Sequence, residues 1–62
     1  MLKRIADSVI RQIDKYGFEG LDVIKALIVC ALDATSADGW SVDDYDYIIT
    51  DVLYRLGTRE QF

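Results

Sequence analysis

Histidine and proline are absent from this 62-residue chain, and cysteine occurs once. Without histidine there is no His general base, no Ser-His or Cys-His nucleophile pair, and the usual zinc ligand is missing. Cys30 has no second cysteine to pair with, and its place in the apolar run LIVCAL reads as a small core thiol in a reducing cytosol. Glycines stand singly at positions 17, 20, 39 and 57, so no Gly-rich phosphate loop is formed. The opening MLKRIADSVI lacks the unbroken apolar stretch of a secretion signal. The longest nearly apolar stretch, residues 26–32, is far shorter than the roughly 20 residues of a membrane span. Positive charge is also scarce: seven Lys and Arg against eleven Asp and Glu leave a net charge of −4. That sign opposes direct nucleic-acid binding, which needs a basic footprint. The expectation is a cytoplasmic, non-enzymatic protein that uses no cofactor, shows no evident small-molecule substrate and acts by binding another protein.

Residues 1–62 have room for one domain and one core. The breaks at 17–20 and 35–41 leave three segments of helical period, at about 2–16, 21–34 and 42–56. In the first, Leu2, Ile5, Ala6, Val9, Ile13 and Tyr16 share a face, with Lys3, Asp7, Arg11 and Asp14 opposite. In the third, Val42, Tyr45, Ile48, Ile49, Val52, Leu53 and Leu56 form the apolar stripe. Ser41 followed by Asp44 is close to a capping box, Gly57 reads as the stop, and the tail TREQF reads as polar and frayed. The second segment is apolar over most of its circumference, with Asp22, Lys25 and Asp33 as its narrow polar sector. A helix of that kind is expected at the centre, between the other two and against a second subunit. Its β-branched residues also permit a strand, which would have no second strand to pair with. The expected fold is an all-α, small antiparallel three-helix bundle that forms a homodimer.

Charge divides the chain. Residues 1–32 carry five basic and four acidic side chains, and residues 33–62 carry two basic and seven acidic ones. A solvated acidic face is the simplest explanation. On the third helix, however, Tyr47 and Tyr54 are seven apart and point away from the apolar stripe, among Asp43, Asp44, Thr50 and Asp51. Tyrosine is a frequent interface anchor. These six residues, with Trp40, are the candidate partner-binding set, and the partner they suit has a basic surface. Trp40, just before the third helix, reads first as a staple folded back against Tyr45 or a nearby apolar residue, and as a binding anchor where it is exposed. On the first helix, Arg4, Arg11 and Lys15 form a basic stripe, either solvated or matched to an acidic helix of a second copy.

In size and charge the chain is similar to small acidic inhibitors of phages and mobile elements, anti-CRISPR and DNA-mimic proteins among them. That similarity implies a protein that occupies the nucleic-acid-binding surface of its target. The stretch from Asp33 to Asp44 resembles an EF-hand loop in outline, with Asp at its first and twelfth positions and an Asp-Gly step. Its glycine is one residue out of register, at position seven. A further alternative is a divalent-metal site using Asp33, Asp38 and Asp44. Ala37-Asp38-Gly39 followed by Ser41 to Asp44 is also similar to a repeat in tellurite-resistance-type helical domains, over about ten residues. An Asp-Gly turn and a Ser N-cap account for most of the same residues.

Overall fold

The computed structural model describes residues 2–17 and 20–60. Three helices follow in order: α1 (Leu2–Tyr16), α2 (Leu21–Thr35) and α3 (Val42–Glu60). Each helix packs on the other two, giving an all-α three-helix bundle with no strand among the described residues. Arg4 and Ile5 of α1 lie beside Ala31 and Thr35 of α2, so these two run antiparallel. Lys3 lies near the start of α3 and Asp7 further along it at Arg55, so α1 and α3 run parallel.

Spacing dictates this arrangement. Ile5, Ala6, Val9, Ile10 and Ile13 are buried along one arc of α1. They meet Ile24, Ile28 and Leu32 of α2 and Ile48 and Val52 of α3. Apart from Ala6 and Leu32, every core residue is β-branched, with χ1 largely fixed by the helix. Fully burying one such side chain contributes about 1.5–3 kcal/mol.

The helix ends are chemically defined. Gly17 takes φ 67°, a conformation that favours glycine, and its amide donates to the Ile13 carbonyl at 2.9 Å. At the end of α2 the Ser36 amide donates to the Leu32 carbonyl at 2.9 Å. The capping box at α3 is reciprocal. The Asp44 amide donates to Ser41 Oγ at 3.3 Å, and the Ser41 amide to the Asp44 carboxylate at 3.2 Å. Just before this cap, Trp40 stacks on Tyr45 with ring centroids 6.3 Å apart, and its indole N–H donates to Asp33 at 2.7 Å. That contact is the expected hydrophobic staple.

Tyr16, read as part of the apolar face of α1, is 61% exposed at its end, and four further expectations need correction. First, α2 is not the most enclosed helix: it buries Ile24, Ile28 and Leu32, whereas α1 buries five residues. Leu21, Val23 and Cys30 of α2 are exposed, because its apolar residues encircle the helix and the bundle covers one side of it. Cys30 is thus a surface thiol and not a core residue. Secondly, α3 does not stop at Gly57 but runs to Glu60. Gly57 keeps a negative φ, and the Thr58 hydroxyl donates to the Tyr54 carbonyl at 2.8 Å. Thirdly, the tail is helical as far as Glu60; Gln61 and Phe62, where fraying was expected, lie outside the described residues. Fourthly, Val42 and Leu53 belong to the exposed side of α3, 71% and 42% accessible. With Ile48 and Val52 centring the buried arc, both fall roughly 100–120° away from it. Among the described residues, no helix is long and apolar enough to cross a membrane.

Candidate functional site

The outward side of α3 carries the candidate surface. Because Ile48 and Val52 turn inward, Asp43, Tyr47, Thr50 and Tyr54 turn outward in an unbroken row. Tyr47 is 53% exposed and Tyr54 73%. Together with Asp46, Asp51 and Arg55 of α3 and Lys3 of α1, they line an open groove of about 710 Å³. The structure therefore assembles five of the seven sequence-derived candidates: Asp43, Tyr47, Thr50, Asp51 and Tyr54.

The other two lie elsewhere. Asp44 is committed to the capping box and lines a separate depression with Leu2 and residues 35–39. Trp40 is half-buried, packed on the core and bonded to Asp33. Both are placed to hold the start of α3 rather than to line the groove.

Lys3, Asp46 and Arg55 were not among the candidates. Arg55 is the organising residue. Its Nε and one terminal nitrogen donate to the two Asp51 carboxylate oxygens, each at 3.0 Å, while its other terminal nitrogen donates to Asp7 of α1. This fork holds α1 against α3 along the groove's edge. The hydrogen bond from Arg55 holds the Asp7 carboxyl below its ordinary value, and the same bond raises Arg55. The Asp51–Arg55 pair has i,i+4 spacing, a signal visible in sequence. Asp7 and Arg55 are 48 residues apart, and no local pattern connects them.

Charge within the groove is uneven. Asp51 is matched by Arg55, but Asp43 and Asp46 have no ion-pair partner among the described residues. Carboxylates accept hydrogen bonds from guanidinium or ammonium groups, and tyrosine faces attract cations. Such a groove is suited to recognising basic side chains.

The loop shows a different pattern. Asp33 accepts the Trp40 indole N–H and Asp44 caps α3. Among the described residues, no three His, Cys, Asp or Glu side chains converge as a metal-binding group. The calcium alternative on Asp33, Asp38 and Asp44 therefore rests on sequence spacing alone. Arg4, Arg11 and Lys15 lie exposed on α1, Arg11 beside Asp7 and Arg55 in a neighbouring depression and Lys15 Nζ 5.2 Å from the Tyr16 ring centroid. On α2, Val23, Ala26, Cys30 and Ala34 form an exposed apolar row with half-buried Leu27 beside it.

Compared with protein-family models, with curated proteins and with solved structures, the chain matches none, and the functional reading rests on its own residues.

Proposed function

We propose that this chain is a non-enzymatic protein-binding module, presenting the acidic, tyrosine-bearing face of α3 to a basic surface of a partner protein. The observation that carries this reading is the exposed Tyr47–Tyr54 pair in a groove with Asp43 and Asp46, carboxylates that have no ion-pair partner among the described residues. Neither tyrosine is needed for the core, and both are large, amphipathic and rigid enough to anchor an interface. The net charge of −4 would steer the chain toward a basic target and speed encounter at low salt. Its specific form, on this reading, is an inhibitor that occupies the nucleic-acid-binding surface of a cytoplasmic target, in the manner of small acidic phage and mobile-element proteins. The chain itself would touch neither nucleic acid nor membrane.

The test is quantitative capture from lysate by wild-type chain and by a Tyr47→Ala/Tyr54→Ala variant of confirmed helicity. Loss of specifically captured protein in the variant supports the reading. Unchanged capture refutes it.

A second reading is favoured by the exposed row on α2. Val23, Ala26, Leu27, Cys30 and Ala34 recur at helical spacing on one side, and a domain this small gains from a second subunit. We propose that two copies associate through this row as a homodimer, an assembly role that is compatible with the α3 face remaining free. Sedimentation equilibrium of wild type and Cys30→Glu decides it. A wild-type dimer that becomes a folded monomer on substitution supports it, and a wild-type monomer at tens of micromolar ends it.

A further inference from the structure

The outward row of α3 does not end at Tyr54. Asp43, Tyr47, Thr50, Tyr54 and Gly57 follow at alternating steps of four and three, and the four of them other than Tyr54, like Tyr54 itself, are exposed. This is the spacing by which one helix presents a seam to another helix lying along it. It stands on the side of α3 opposite Ile48 and Val52, so it is not the seam that builds the bundle.

Gly57 supplies an independent observation. It lies inside α3 with a negative φ, so no left-handed turn requires glycine there. A Cβ built on it would meet nothing within 4 Å among the described residues, so no close contact there requires glycine either. Glycine is nevertheless a poor choice inside a helix, where alanine is better. Lacking a side chain, an exposed helical glycine on an outward seam leaves room for a second helix to approach closely, as small residues do between packed membrane helices.

We infer that the element received by this face is an α-helix of the partner, laid lengthwise along α3, basic where it meets Asp43 and Asp46, and closest to α3 at Gly57. The inference rests on the α3 face being the binding surface and adds the shape of what binds. Tyr47 and Tyr54 are separated by about 10.5 Å along the axis, which equals seven residues of a partner helix. A strand presents same-face side chains at about 6.6 or 13.2 Å and so misses both tyrosines in turn. The seam from Asp43 to Gly57 spans about 21 Å, or about four helical turns. Its chemistry is graded: carboxylates without an ion-pair partner among the described residues at the start, aromatic rings in the middle, and a glycine near the end. The complementary helix carries arginines toward one end and small residues toward the other.

Three fluorescent peptides of identical composition, titrated by anisotropy against the full chain, test this. The first is an alanine-based helix with arginines on one face at steps of three and four. The second has the same arginines spread around the helix, and the third keeps the first order but includes two central prolines exchanged from its termini. The expected result is that the first binds about tenfold more tightly than the other two. Gly57→Ala should weaken that binding at least about fivefold while raising the melting temperature of the free chain, so lost binding cannot be ascribed to lost folding. Equal affinity for all three peptides overturns the helix and leaves the basic-surface reading standing. No binding by any of them overturns both. Unchanged affinity in Gly57→Ala overturns the close approach at that residue.

Discussion

The first two helices are each 15 residues long, and they use their apolar residues differently. α1 alternates charged and apolar residues and buries five of them; α2 carries far more apolar surface and buries three. The difference is one of phase. In α1 the apolar residues fall on one arc, and the bundle covers that arc. In α2 they surround the helix, so two neighbours cover Ile24, Ile28 and Leu32 and leave Val23, Ala26, Cys30 and Ala34 in solvent. Apolar content measures how much a helix could bury, and the angular distribution decides how much it does. The outward sides of α2 and α3 then differ in kind, one small and apolar, the other acidic and aromatic.

The largest expected effect separates the inner and outer sides of α2. Ile28→Ala, at a wholly buried site, should cost about 2–5 kcal/mol in urea denaturation, whereas Cys30→Ala two positions on should stay within about 0.5 kcal/mol for the monomer. If both variants lost similar stability, α2 would be enclosed on its outer side as well. Next comes the start of α3. Ser41→Ala removes the hydroxyl that accepts the Asp44 amide and should cost about 1 kcal/mol by the same assay. At the other end of α3, Gly57→Ala should stabilise the free chain by about 0.5–1 kcal/mol, since alanine fits the open space and the helical backbone there.

The smallest effect concerns the α1–α3 edge. The Asp7 carboxyl is held below its ordinary value of 3.8, first by the hydrogen bond from Arg55. A carboxyl whose folded pKa is depressed contributes stability above its unfolded pKa, about 3.9, and loses it as pH falls through the lower folded value. Wild type should therefore lose this contribution below about pH 4. Asp7→Asn should start less stable at neutral pH and show a shallower acid limb in thermal melts. Identical acid limbs would mean that the fork is made by Asp51 alone.

Much of this was legible along the chain. The three helices, the Ser41–Asp44 box and the Trp40–Tyr45 staple follow from spacings of three to five residues, which helical geometry imposes locally. The outward direction of Tyr47 and Tyr54 also follows from phase. The Arg55–Asp7 bond was not legible, because it depends on how α1 and α3 meet in space. Val42 and Leu53 were misplaced because apolar residues at the margin of a stripe can fall either way until the buried arc is located. Gly57 was misread for a related reason: glycine ends a helix when it takes positive φ, and residue type alone does not specify φ.

The contrast between the outward sides of α2 and α3 can be tested in one experiment. Backbone amide shifts of labelled chain are followed while the one-face arginine helix is added. The expected result is a continuous track of perturbed amides at Asp43, Tyr47, Thr50, Tyr54 and Gly57, with Val23, Ala26, Cys30 and Ala34 unmoved. Perturbation centred on the α2 row, or spread evenly over the acidic residues regardless of face, would contradict the assignment of α3 as the binding surface.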